Sequence, residues 1–167
     1  RVQSQEPIKR GKAKSVPVKD IASEKIQKII SDMKEAVSTQ KDGVAIAAPQ
    51  IGIPLKIFLV SDSIMKEADA EYKSIGRDLV FINPTIMKLS KDKHEVEEGC
   101  LSVRWKYGKV KRSIKATVKG YNELGEKIER GASGLLAQIF QHETDHLEGV
   151  LFIDKAKDIQ DIPPSNE

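Results

Sequence analysis

At 167 residues with a net charge of +3, the chain has the length of one domain and enough sequence to bury a core without disulfide help. Its single cysteine, Cys100, excludes an intramolecular disulfide framework and suits a reducing compartment. No stretch reaches the roughly 20 apolar residues of a membrane helix, so no membrane contact is expected. The cytosol is the expected compartment (cytoplasmic), or an organelle if a targeting segment preceded Arg1.

Residues 1–19 read as an extended basic lead-in, interrupted by Pro7, Gly11 and Pro17, with Val16 and Val18 suited to a short edge strand. A single domain is expected over 20–154 and a short polar tail over 155–167. From Asp20 or Ser23 as N-cap, Ile26, Ile29, Ile30, Met33 and Val37 recur at helical spacing while charged and polar residues fill the other face, which predicts an amphipathic helix of about four turns. It ends near Lys41-Asp42-Gly43. The segment GVAIAAPQIGIP is expected as loop and strand, because Pro49, Gly52 and Pro54 break a helix. Strands are predicted at 56–60, 79–82, 86–89, 110–121 and 127–129, with turns at Asn83-Pro84 and at 122–125, and the polar stretch 61–78 reads as a long loop. Residues 104–120 hold seven Lys/Arg and no acid. Lys109, Lys111, Lys115 and Lys119 share one parity and would line one strand face, either a solvated face or an electrostatic footprint for RNA.

Ser133 can cap a second helix through GLLAQIFQHETDHLEG, with Leu135, Leu136, Ile139, Phe140 and Leu147 as apolar positions and Gly149 as its stop. The fold class is therefore α+β: short antiparallel strands packed around a central helix, with the amphipathic helix near the N-terminus as the second.

The central helix carries His142-Glu143-Thr144-Asp145-His146, an HExxH sequence whose i, i+4 spacing points both imidazoles to one side, able to share a metal ion. Glu143 follows the first histidine closely enough to reach a water on that ion. Two histidines leave a catalytic site one protein ligand short, and Cys100, in EEGCLS after the permissive Gly99, is the candidate for the third or else a small buried hydrophobe. Leu135, Gln138 and Ile139 lie seven, four and three residues before His142, on its face. They either floor an apolar slot beside the metal, suited to an unbranched thioether side chain, or belong to the core.

GVAIAAPQ at 43–50, EGCLS at 98–102 and QHETDHLEG at 141–149 closely resemble, in order and spacing, the motifs of bacterial peptide deformylases. VFINP at 80–84 and the residues leading into the third motif extend the likeness. The resemblance implies removal of the formyl group from the initiator methionine of nascent polypeptides, with release of formate. It implies Cys100, His142 and His146 as ligands of one divalent metal ion per chain, with Fe(II) preferred and Zn, Ni or Co allowed by the ligand set. Glu143 becomes the proton carrier, and the Gln50 side chain and Leu101 amide become oxyanion donors. Gly43, Ala45, Ile46 and Gly99 would border the substrate, and Val96 would join Leu135, Gln138 and Ile139 as a pocket wall. Ala45 and Ile46 stand where the family usually has glycine and leucine, and Arg104-Trp105 replaces a common proline after the second motif. N-formylmethionyl nascent peptides are the implied partner, and the basic stretch 104–119 is a candidate ribosome contact. Two other readings compete. An HExxH protease would need a further His or Glu ligand downstream, where 147–167 hold no histidine and few acids; a catalytically silent binding module would not need the intact constellation.

Overall fold

Two runs without a polar interruption, Ile57-Phe58-Leu59-Val60 and Leu79-Val80-Phe81-Ile82, decide the architecture, because a strand covered on both faces carries apolar residues at every position. The computed structural model describes residues 11–39, 44–69, 71–100 and 103–161, and of these the side chains of residues 100, 103–106, 152, 153 and 161 are not described. In chain order the elements are α1 (Glu24–Ser38), β1 (Ala45–Ala47), β2 (Ile57–Val60), α2 (Asp62–Ala68), β3 (Leu79–Leu89), β4 (Lys93–Cys100), β5 (Val103–Ser113), β6 (Lys115–Tyr121), β7 (Lys127–Ser133), α3 (Gly134–Leu147), α4 (Phe152–Lys155) and β8 (Lys157–Asp161). The strands form a five-stranded sheet, β1-β2-β3-β6-β7, and a three-stranded sheet, β4-β5-β8, every pair antiparallel.

Alternation along the strands of the larger sheet builds two cores. Ile46, Ile57, Leu59, Val80 and Ile82 pack with Ile26, Ile29, Ile30, Met33 and Val37 of α1. Ala45, Ala47, Phe58, Val60, Leu79 and Phe81 instead pack with Leu136, Ile139, Phe140 and Leu147 of α3. Phe58 stacks on Phe81 at 4.8 Å between ring centroids, and Phe140 meets Phe81 edge-on at 5.2 Å, the tilted geometry aromatic rings favour. The helix α3 also touches β5, β6 and β7, so strands of both sheets surround it. The cap of α1 is Ser23, whose Oγ accepts the Ile26 N–H at 3.3 Å, and Gly149 follows α3 with φ 78°, the left-handed conformation that stops a helix.

Several local expectations give way to tertiary context. Asn83-Pro84 is not a turn between two strands: β3 runs through it with a register shift. Asn83 sits at φ 53° and its amide pairs both backbone groups of Val16, at 2.7 and 2.8 Å. Opposite this irregularity a Cβ on Gly120 would lie 2.8 Å from the Ile82 oxygen, so only glycine lets the backbones approach. Val16 is thereby buried, whereas Val18 is exposed in a short 3-10 turn, and they form no edge strand. The expected strand 110–121 is divided at Ile114, where the chain passes from one sheet to the other. Ser113, beside the break, has its N–H and C=O satisfied by the buried Gln141 amide at 2.9 and 2.8 Å. Within the supposed loop 61–78, Ser61 caps α2 and Met65 is fully buried.

The strands β4 and β8 were not expected. Their sequences, KHEVEEGC and KDIQD, are polar because they edge a small sheet. Side-chain pairing replaces burial there: Glu95 stands opposite Lys111 and Glu97 opposite Lys109, and Lys157 reaches Glu95 at 2.9 Å. Residues 157–161 of the expected tail are thus strand.

Candidate active site

The site grows from one turn of α3. Helical spacing stacks His142 and His146 so that their Nε2 atoms lie 3.1 Å apart, with ring centroids at 4.8 Å. Two nitrogens bound to one ion at about 2.1 Å would be separated by roughly this distance. Among the described residues, His142, Glu143 and His146 form a cluster whose ligand atoms lie within 4.8 Å of one another, all buried. Glu98, on β4, sets the chemistry of the first histidine. Its Oε1 lies 2.7 Å from His142 Nδ1, so with Nδ1–H donating to the carboxylate, Nε2 carries the lone pair a metal needs. The donor set and its backing carboxylate therefore fit a divalent cation.

Glu98 is itself held by Arg112 of β5, which donates Nε to Oε2 and Nη2 to Oε1, each at 2.7 Å. Nη1 donates to Asp145 Oδ2 at 2.7 Å, and Lys155 reaches that carboxylate at 3.1 Å. Burial alone would raise the Glu98 carboxyl, but the hydrogen bonds and charges of Arg112 and His142 outweigh it and hold the group at about 2. Glu143 has the opposite fate: burial pushes it up to about 7, with the lowering influence of His142 unable to offset this. Its Oε1 has no hydrogen-bond partner among the described residues, and its Oε2 is 3.9 Å from His142 Nε2. A carboxylate poised near neutrality, buried beside two imidazoles, can both take and return a proton.

Gln50 lies in the 3-10 turn Ala48–Ile51, which touches α3. Its Oε1 accepts the Ala47 N–H at 2.8 Å, so the donor end of the amide points the other way. Cys100 ends β4 two residues after Glu98; its side chain, and all of Gly43 and Leu101, lie outside the described residues. Ala45 is buried on the α3 side of β1, whereas the Ile46 side chain is buried in the α1 core and so turns away from α3. Ile139 is buried in the core beside the site, and Val96 and Gly99 are half-buried. Leu135 corrects its expectation as an apolar position of the helix, since it is 44% exposed. Gln138 donates Nε2 to the Glu97 carbonyl at 2.9 Å, tying α3 to β4.

Sequence reasoning missed Glu98, Arg112, Asp145 and Gln141 as parts of one site. Glu98 and Asp145 stood inside the quoted motifs, a signal that was available. Arg112 was concealed among the lysines of a stretch that reads as solvated.

A buried His-Glu-His turn, backed by a carboxylate and enclosed by antiparallel strands, defines a hydrolase whose cluster can hold a metal ion. Residues 2–161 match the profile of the polypeptide deformylase family, and the chain belongs to that family. Peptide deformylase 2 of Clostridium acetobutylicum is 40% identical over 152 residues, covering 90% of each chain. Peptide deformylase 1A, chloroplastic/mitochondrial, of Arabidopsis thaliana is 40% identical over 161 residues, and the match spans 92% of this chain but 60% of that protein. The crystal structure of a Thermotoga maritima peptide deformylase superposes with a TM-score of 0.75 at 35% identity, covering 91% of this chain and 92% of that one. A Synechococcus elongatus peptide deformylase in complex with actinonin gives 0.77 at 32% identity, covering 92% and 78%. No helix among the described residues is long and apolar enough to cross a membrane.

Proposed function

We propose that the chain removes the N-formyl group from the initiator methionine of nascent polypeptides, with Cys100, His142 and His146 holding one divalent ion and Glu143 carrying the proton. The observation that carries this reading is the His142–His146 pair, its Nε2 atoms 3.1 Å apart, with Glu143 buried beside them and the Glu98 carboxylate 2.7 Å from His142 Nδ1. A divalent ion held there would lower the pKa of water towards neutrality and polarise a carbonyl oxygen. Glu143 takes the proton of the attacking water and returns it to the departing amine nitrogen, so that formamide and water become formate and a free N-terminus. The Gln50 NH2 and the Leu101 amide donate to the formyl oxygen as it gains charge. Fe(II) is the proposed ion, with Zn, Ni and Co as alternatives.

The methionine side chain would lie between Val96 and Ile139, bordered by Gly43, Ala45 and Gly99, with Gln138 at the rim and Leu135 towards solvent. Cytosol or an organelle is the proposed compartment. Ribosome contact through 104–119 loses support: Lys109 and Lys111 face Glu97 and Glu95 across the β4–β5 ladder, and Lys115 and Lys119 belong to the other sheet. Formate release from formyl-Met-Ala-Ser, with and without added ferrous iron, tests the function. Cleavage of an internal peptide bond, or no turnover with the metal bound, would replace it with the protease or the silent binding module.

A further inference from the structure

Buried charge outside the reacting groups is concentrated in one place. Arg112 and Glu98 are each 4% exposed at the side chain, and Asp145, half-buried, completes the chain of ion pairs. Arg112 lies 14 residues from Glu98 and 33 from Asp145 in sequence, so the contact exists only through the tertiary fold. Its guanidinium uses three different nitrogens, two in a side-on pair with Glu98 and one on Asp145. It grips α3 twice, through Glu98 at His142 and through Asp145 at the residue before His146. Both handles sit next to the proposed metal-binding histidines. A planar fork can hold two carboxylates in fixed directions, whereas an ammonium is a point charge that cannot reproduce both.

We propose that Arg112 is a positioning residue for the metal site: it holds Glu98 in place as acceptor for His142 Nδ1–H and fixes the helical turn through Asp145, so that both imidazole Nε2 atoms converge on one ion. This rests on the metal-site reading above. The hydrogen bonds of Arg112 go to Glu98 and Asp145 and not to His142, Glu143 or His146, so its influence passes through Glu98 and α3. A purely structural Arg112 would affect melting temperature but leave the directions of the imidazoles unchanged, and hence the metal affinity.

The test is nickel affinity of the folded full chain, measured by competition with a chromophoric chelator, for the parent, Arg112→Lys and Glu98→Gln. Loss of the partner that orients a metal-bound histidine lowers affinity by about 10- to 100-fold, and Arg112→Lys is expected in that range with faster nickel dissociation. Glu98→Gln keeps the shape but weakens the acceptor at Nδ1, and its affinity is expected to fall as well. It decides the matter if Arg112→Lys does not fold. The His142 Nδ1–H resonance in the zinc-loaded chain, where Nε2 is occupied and Nδ1 carries the proton, gives a second readout: a downfield, slowly exchanging proton in the parent and an upfield-shifted, faster-exchanging one in the variants. Folded variants that bind nickel as tightly as the parent, with His142 unchanged, overturn the proposal while leaving the metal site standing. A parent that takes up no nickel overturns both.

Discussion

Replacing Glu143 with glutamine keeps the volume of the side chain and removes its ability to accept a proton. It should therefore separate the chemical step from metal binding. General-base contributions run to about 10²- to 10⁴-fold, and because Glu143 is proposed to act as base and then as acid, turnover should fall near the upper end while metal content stays full. The same substitution has a stability consequence in chelator-treated protein. The carboxyl is raised from 4.5 to about 7 by burial, so between those values the folded state keeps a proton that the unfolded state has lost, and stability declines as pH rises through the window. Below pH 4.5 both states are protonated and there is no penalty; above about 7 it is fully present and on the order of 3 kcal/mol. Glu143→Gln should abolish this slope and leave the stripped variant more stable than the parent at neutral pH. Urea melts across the window, paired with formate release and metal analysis of the loaded protein, read both effects. Near-normal turnover at full occupancy would refute the proton transfer, and parallel pH profiles would refute the burial account of Glu143.

Glu98 runs the other way in pH. Held at about 2 against 4.5 unfolded, it stabilises the fold above pH 4.5 and loses that contribution as pH falls towards 2, so acid unfolding of Glu98→Gln should be shallower; identical acid limbs would deny its pairing with Arg112. Chelation should abolish formate release and divalent metal should restore it, and actinonin, the compound found with the Synechococcus elongatus relative, should inhibit; turnover in metal-free protein would refute the mechanism. Changing Lys109, Lys111 and Lys115 together to glutamine should leave turnover of short formyl peptides unchanged, since all three are exposed; a large rise in KM would place them in the substrate groove. Phe140→Ala, at the junction of the Phe58 and Phe81 rings, should destabilise the fold by about 3–5 kcal/mol in denaturant melts.

What the sequence made legible is what depends on short spacing. The Ile26–Val37 periodicity marked α1 because burial on one helical face repeats within a few residues. The HExxH spacing alone brings the two imidazoles to 3.1 Å, since the helix does the geometry. Contacts without a local period were hidden. Glu98 is 44 residues from His142, and nothing in KHEVEEGC separates the glutamate that is buried from its exposed neighbours Glu95 and Glu97. The break at Ile114 was invisible for a related reason. Residues 110–121 have continuous strand propensity, and the helix residue that satisfies the backbone beside the break, Gln141, is 28 positions away from Ser113. Similarly, Asn83-Pro84 has the local chemistry of a turn, and only the lead-in at Val16 makes it a bulge.

The motif segment of α3 is consequently structural and chemical at the same time, and its variable positions are not equivalent. Gln141 holds the backbone at the crossover from β5 to β6, and that crossover follows directly on Arg112. Asp145 receives Arg112, whose other partner is the carboxylate on His142. The loop therefore closes: the helix that bears the histidines positions the strand whose arginine, through Glu98, orients one of them. Thr144 stands outside this loop, its hydroxyl turned back to the Phe140 carbonyl at 2.6 Å within the helix. Of the residues between Glu143 and His146, the aspartate is thus constrained by the site and the threonine only by the helix. Asp145→Asn weakens one grip of Arg112 and leaves Glu98 and His142 in contact. Thr144→Ala removes a bond that no other element of the site uses. That difference follows from where each side chain points, not from its distance along the chain to the histidines.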